Sequence, residues 1–509
     1  MSSRGRLLDR SIRATLGRRL TRPDLAPRLT VLVQALAPDA TPTARTVAGL
    51  LAQASAALDV HDASQVWLAL SVIAARLPNS ADVAAARRRG ELHGARAVLT
   101  AAINRMPLDS AGLEVEVAAG EVLVDIDHLA QTTLMTGIQR VTHETVTRWY
   151  RDHQVSLVRW TDGYVAIRRT TADETARALG TLPPAPSPDD RRRSRGTVVI
   201  PWRSHVVLPE VALDIPRTSR LLALVLHSRC ATAAIGFDLV PLTSSETTAS
   251  NVPADFMNGL AAIRHMHRVA TISEAAHLEY DGWRTMITSI GVQGPEVRTI
   301  SLPVEASEPT PEQLEAARQR YCVPTVPLVL CVGSHEPRKN HLSVLHAAEL
   351  LWRRGLEFSL LFVGGNAWKS ERFSERLAEL QAAGRPVESA RGVGDDALWA
   401  LYRLARCTVF PSLNEGFGLP VAESLAIGTP VVTSDFGSMR EIGAAGGALL
   451  VDPRDDHAIA SAIMTLLTDD STHARLVREA AERPSRRWDT YAEETWDYLV
   501  RTNPLPRST

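Results

Sequence analysis

Phe410-Pro411-Ser412-Leu413-Asn414-Glu415-Gly416-Phe417-Gly418-Leu419-Pro420-Val421-Ala422-Glu423-Ser424 joins a short apolar run to an amphipathic one. The apolar run Thr408–Pro411 reads as a buried strand ending by Ser412. Pro420 opens a helix, because proline at a first helical position needs no amide donor and has the required φ. The Gly416-Phe417-Gly418 turn therefore lies just ahead of a helix N-terminus. Unpaired amides and the positive end of the helix dipole face outward there, which suits a diphosphate. The glycines allow close backbone approach to a ligand. Glu423, placed in the first helical turn, can accept hydrogen bonds from sugar hydroxyls such as those of a ribose, and Glu415 faces the same crevice.

Upstream, Gly333-Ser334-His335-Glu336-Pro337-Arg338-Lys339-Asn340-His341 follows the apolar run Pro327–Val332 and precedes another helical pattern. Loops at the carboxyl ends of parallel strands are where α/β proteins bind ligands. Arg338 and Lys339 offer cations for two phosphates, and fixed cations stabilise charge that develops on a departing phosphate. A third loop, Arg391-Gly392-Val393-Gly394, precedes a helix from Asp395, and a fourth, Ser434 to Ile442, carries Glu441. That carboxylate either caps its own helix or reaches the ligand.

The surrounding pattern alternates strand and helix twice over. The second series has strands at Ser359–Val363, Pro430–Ser434 and Ala448–Val451, with helices between them. The first runs from Glu121–Ile126 through Ser156–Trp160, Thr197–Pro201, Leu221–Leu226, Ala234–Val240 and Val269–Ser273. Two successive open parallel sheets imply two Rossmann-like domains facing a cleft. Pro303, Pro309 and Pro311 mark the join. The expected division is 1–28, a basic segment; 29–112, an α-helical tetratricopeptide-like region; 113–305, an acceptor domain; 306–485, a donor domain; and 486–509, a terminal helix. Pro183 to Arg195 reads as a surface loop.

The segment from Glu415 to Glu423 resembles the E-x7-E motif of family-4 retaining glycosyltransferases (glycosyl transferases group 1), which have the GT-B fold. The stretch from Gly333 to Asn340 is similar to that family's G-x-x-E-P-R-K-N loop, with Ser334 where many members carry arginine. The resemblance implies that Glu423 binds the donor ribose. It also implies that Glu415 and the amides of Phe417 and Gly418 hold the sugar and diphosphate, with Arg391 and Val393 beside the base. Gly333, Gly416 and Leu419 complete the donor-binding candidates. Arg338, Lys339 and Glu415 are the catalytic ones.

In the first domain, Gly137-Ile138-Gln139-Arg140-Val141 resembles the family's acceptor-side loop. Gly236-Phe237-Asp238-Leu239-Val240-Pro241-Leu242 resembles its H-D-L-I-P-L strand end, with Phe237 in place of the histidine. Gly137 and Asp238 are the acceptor-side candidates. His227 and His128 are the histidines considered as replacements for the missing one. The resemblance further implies that a terminal helix near Thr490–Leu499 crosses back onto the first domain.

The expected function is a retaining transfer of sugar from a nucleoside-diphosphate sugar to a glycan or lipid-linked acceptor, in surface polysaccharide synthesis. Two alternatives are a GT-B epimerase or phosphorylase, and a non-catalytic assembly subunit binding through residues 1–110. No cofactor or metal is expected. Asp125-Ile126-Asp127 fits a D-x-D pattern, but D-x-D occurs often by chance, and Arg338, Lys339 and the helix dipole offer the charge a divalent ion would supply.

The formal net charge of -1 gives nucleic-acid binding no support. Cys230, Cys322, Cys331 and Cys407 form no CxxC pair and are expected to be reduced, in a cytoplasmic protein. No apolar run reaches the roughly 18 to 20 residues that span a bilayer, and the N-terminus lacks a signal-peptide core. Arg4, Arg6, Arg10, Arg13, Arg18, Arg19, Arg22 and Arg28 face only Asp9 and Asp24. With Leu7, Leu8, Ile12, Leu16 and Leu20 they form either a basic amphipathic helix for the anionic inner membrane face or a solvated terminus.

Overall fold

The computed structural model describes residues 22–39, 42–132, 136–181 and 196–506. Most of the basic N-terminal run, and the loop expected over 183–195, lie outside the described residues.

Among the described residues five helices lead: Leu25–Leu36, Val47–Ala57, Ala63–Ala74, Ser80–His93 and Ala95–Asn104. The last two are separate because Gly94, between them, takes φ 77°. The boundary expected at residue 28 falls inside the Leu25–Leu36 helix. Arg28 does not belong to a solvated basic face. It is buried, ion-paired to Asp24 at 2.9 Å, and donates to the carbonyls of Ile73 (2.8 Å), Ser110 (2.5 Å) and Leu113 (3.0 Å). These helices share one apolar core with the first sheet, through residues such as Leu29, Trp67, Ile73, Leu123 and Trp160.

That sheet has nine strands: β1 (Glu114–Ala118), β2 (Val122–Asp125), β3 (Ser156–Trp160), β4 (Ile167–Arg169), β5 (Thr197–Pro201), β6 (His205–Leu208), β7 (Ala231–Gly236), β8 (Arg268–Thr271) and β9 (Glu296–Thr299). Their order is β1-β5-β4-β3-β2-β6-β7-β8-β9, and every pairing is parallel except those of β4. The strand expected over Leu221–Leu226 is instead the end of the Ile215–His227 helix. A short apolar run is ambiguous between a strand and a buried helix. Here Pro216 starts the helix, Leu221, Leu224 and Val225 are buried at helical spacing, and Leu226 is 41% exposed. The strand expected from Ala234 begins earlier, at Ala231, and ends at Gly236.

The second sheet holds β10 (Leu328–Val332), β11 (Ser359–Val363), β12 (Val387–Ala390), β13 (Cys407–Phe410), β14 (Val431–Ser434) and β15 (Ala448–Val451). All its pairings are parallel, in the order β12-β11-β10-β13-β14-β15. In its own numbering that is 3-2-1-4-5-6, the doubly wound Rossmann order, whose ligand crevice opens between the first and fourth strands. The loops after β10 and β13 flank that point, and they are the two motif loops.

The Trp488–Trp496 helix packs on the Gly137–Asp152 helix of the first domain. Trp149 Nε1 donates to the Ala492 carbonyl at 2.8 Å, Arg148 pairs with Asp489 at 2.9 Å, and His153 stacks on Trp496. The four cysteines are free thiols, three of them buried and Cys322 half-buried. Among the described residues no helix is long and apolar enough to cross a membrane.

Candidate active site

β13 ends at Phe410, two residues earlier than expected, and the following helix spans Leu419–Ala426 with Gly418 as its cap. Pro420 is thus second in the helix, and Glu423 sits just beyond the first turn. Gly418 has φ 102°, a backbone state that L side chains rarely adopt. Among the described residues, no carbonyl or side chain takes up the amides of Phe417, Gly418 and Leu419. Three donors therefore stand at the positive end of this helix. The Phe417 ring itself is buried in the core between the domains.

The loop after β10 makes a short 3₁₀ turn, Pro337–Lys339, and Asn340 takes φ 59° before the His341–Arg353 helix. Asn340 holds this turn by donating to the Pro411 and Pro453 carbonyls at 3.2 and 2.6 Å. Both basic side chains then converge on one carboxylate. Arg338 Nη1 lies 2.5 Å from Glu415 Oε2, and Lys339 Nζ lies 2.6 Å from Glu415 Oε1 and 4.9 Å above the Phe410 ring. Ser412 Oγ donates to the same carboxylate at 2.8 Å, and Arg338 Nη2 also holds Glu336 at 2.9 Å. Burial pushes the Glu415 carboxyl up, but Arg338 and Lys339 outweigh it and hold it at about 2. Glu415 is therefore a fixed anion that orients two cations.

Glu423 is buried, with Oε2 accepting from Tyr402 OH at 2.8 Å and Oε1 from Arg140 Nη1 at 2.5 Å. Arg140 comes from the other domain. Arg140 stands in the acceptor-side loop and Tyr402 in the helix from Asp395, and nothing in either stretch of sequence points to a distant partner.

The acceptor-side candidates meet the same cleft. A Cβ on Gly137 would lie 3.4 Å from Leu419 Cδ1, and a Cβ on Gly416 would lie 2.6 Å from the Phe237 carbonyl oxygen and 2.9 Å from Asp238 Oδ2. Asp238 is half-buried by surface exposure and sits among charges. Burial pushes its carboxyl up, Glu279 and Glu415 add to this, Arg338 opposes, and the result is about 6. Ser273 Oγ donates to the Gly416 carbonyl at 2.5 Å, and Asn414 Nδ2 donates to Thr243, Ser244 and Glu279, so the loop after β13 is clamped to the first domain.

Other expectations separate. Glu441 does not cap its own helix: its carboxylate accepts the amides of Glu274 and Ala275 at 3.2 and 3.1 Å, capping the Glu274–Thr288 helix across the cleft. Arg391 is exposed beyond β12, on a wall with His335, Asn366 and Phe373, while Val393 packs beside Trp399 and Leu401. His227 ends a helix near Arg87 and Asp62, in the charge field of the N-terminal helices rather than the cleft. His128 Nδ1 lies 3.0 Å from Gln139 Nε2, close to the acceptor-side loop. Phe237 is buried in the core between the domains. The Asp125 and Asp127 carboxylates are buried and committed. Asp125 binds Arg217 at 3.0 Å and Trp160 Nε1 at 2.8 Å, and Asp127 accepts the Trp160 amide at 3.1 Å and Gln131 at 2.9 Å.

Residues 315–483 match the family model described as glycosyl transferases group 1. The serotype-specific mannosyltransferase WbdA of Escherichia coli is 26% identical over 338 residues, 63% of this chain and 38% of its own length. The O-antigen chain mannosyltransferase B of Escherichia coli is 31% identical over 188 residues, 36% of this chain and 49% of its own. The chain thus spans about two fifths of the length of the first curated relatives it matches. Among solved structures, HepE of Anabaena in complex with UDP-glucose superposes with a TM-score of 0.54 at 14% identity, over 75% of this chain and 99% of that one.

Proposed function

We propose the following activity for this chain, which has a GT-B-like fold and a glycosyl transferases group 1 match over residues 315–483. It moves a hexosyl group from a nucleoside diphosphate to a glycan or lipid-linked acceptor, with retained configuration and without a metal. One observation carries this: Arg338, Lys339, Glu415, the amides of Phe417, Gly418 and Leu419 and the buried carboxylate of Glu423 share a single cleft with Gly137 and Asp238. The mannosyltransferase and O-antigen names of its relatives support a sugar donor and a place in surface polysaccharide synthesis. The fold's neighbour with bound UDP-glucose supports a nucleotide-sugar donor. Retention rests on the resemblance to family 4.

In this reading the acceptor hydroxyl attacks the anomeric carbon from the face the diphosphate leaves. The bond between that carbon and the β-phosphate oxygen breaks, and its electron pair stays on the phosphate. The acceptor oxygen bonds to carbon, and its proton passes to the departing phosphate oxygen. Lys339, Arg338 and the helix N-terminus stabilise the charge that develops there. Glu423 fixes the ribose, and Asp238 orients the acceptor hydroxyl. The cations and the helix dipole provide positive charge of the kind a divalent ion supplies in other transferases.

The test is a screen of sugar nucleotides that measures released nucleoside diphosphate, in EDTA. One donor class should be turned over, and Lys339→Ala and Glu423→Ala should each lower kcat/KM by about 10²–10³-fold. Near-normal turnover in both variants, or donor consumption without transfer, counts against the proposal.

A further inference from the structure

The Arg140–Glu423 ion pair joins a cation of the first domain to a carboxylate of the second that the proposed donor needs. We propose that Arg140 is a donor-binding residue: the ribose displaces it from Glu423, and its guanidinium then turns to the diphosphate. This rests on the donor-site reading above.

The two partners of Glu423 are unequal. Tyr402 is fully buried within the donor domain and its hydroxyl is fixed on Oε2. Arg140 is 31% exposed and belongs to the opposite domain, so it is the partner that can leave when a ribose hydroxyl arrives. The released guanidinium has a short distance to travel. Glu423 lies four residues along the helix from Leu419, a separation of about 6 Å at the helical rise. A side chain now reaching Glu423 therefore needs about one helical turn of travel to reach the anion at the helix head.

Charge gives the reason. In the loops after β10 and β13, Arg338 and Lys339 are already met by Glu336 and Glu415, two cations against two carboxylates. Position 334 adds only a hydroxyl, bonded to Glu336 at 3.3 Å. A sugar nucleotide is a diphosphate diester with two negative charges, and the nucleoside diphosphate that departs when its bond to the sugar breaks carries one more. Arg338, Lys339 and the helix N-terminus meet that charge only in part, because Glu336 and Glu415 offset the two cations. A liberated Arg140 supplies a further cation, and does so only once the ribose is seated.

The experiment is calorimetry of the full chain with uridine, UDP, guanosine and GDP, for wild type, Arg140→Gln and Arg140→Lys. Removing Arg140 removes the competitor for Glu423, so the bound nucleoside should be held as tightly as in wild type or a few-fold more tightly. The matching diphosphate should weaken about tenfold, the size expected for one charged hydrogen bond, and Arg140→Lys should recover most of the preference for diphosphate over nucleoside. A parallel loss for nucleoside and diphosphate in Arg140→Gln would show a structural role and overturn the proposal, as would an unchanged ratio. Wild type binding none of the four compounds would overturn the donor-site reading together with this one.

Discussion

Gly416→Ala isolates the closed geometry of the cleft from its chemistry. The backbone at 416 does not require glycine, since its φ lies outside the left-handed region. What requires glycine is space: a new Cβ would stand 2.6 Å from the Phe237 carbonyl oxygen and 2.9 Å from Asp238 Oδ2. Carbon-to-oxygen contact needs about 3.3 Å, so the two domains must part locally by about 0.7 Å. The nearer obstacle is backbone, which cannot rotate aside. The same shift stretches the Ser273–Gly416 hydrogen bond, now 2.5 Å, at a cost of about 1 kcal/mol in stability. Displacements approaching 1 Å in a reacting geometry cost about 10²-fold in rate, or roughly 2.7 kcal/mol of barrier. Steady-state release of nucleoside diphosphate should show kcat falling by about that factor while the donor KM changes only a few-fold, because the donor loops lie within one domain. Gly282→Ala, where a Cβ meets nothing within 4 Å, serves as the control. A Gly416→Ala enzyme with kcat within about twofold of wild type would refute the reasoning, since that is under 0.5 kcal/mol of barrier.

Asp238 gives a pH signature. Its folded-state carboxyl titrates at about 6 against an ordinary 3.8, so between those values the folded chain holds the proton more tightly than the unfolded chain. Stability must fall as pH rises through that window and level off above it. Asp238→Asn lacks this slope, so its unfolding midpoint in urea should gain on wild type from about pH 4 to 6 and then run parallel. Curves parallel throughout would remove the assignment. Of the two readings of the basic N-terminus, a contact with anionic lipid predicts that a variant lacking residues 1–21 co-sediments less with phosphatidylserine vesicles. That deletion spares Asp24 and Arg28, which the fold uses internally. Equal co-sedimentation would eliminate the contact.

The sequence by itself determined what local chemistry can encode. Strand, glycine turn and helix at Gly416–Glu423, and the basic loop at Arg338–Lys339, are short-range patterns, and their residue types point to a phosphate-bearing ligand. The alternation of strands and helices determined the doubly wound class for the same reason, since period and turn chemistry are properties of neighbours. It failed at Leu221–Leu226, where an apolar run has no period of its own, and at the N-terminal boundary, where charge suggested solvent for an Arg28 that the core absorbs. Only the tertiary structure decided which distant groups meet. Glu423 receives Arg140 from the other domain, Glu441 caps a helix across the cleft, and Gly416 abuts Asp238. The physical reason is that such pairings depend on how two separately specified sheets dock, and an ion pair between residues 140 and 423 leaves no spacing rule in the chain for sequence to display.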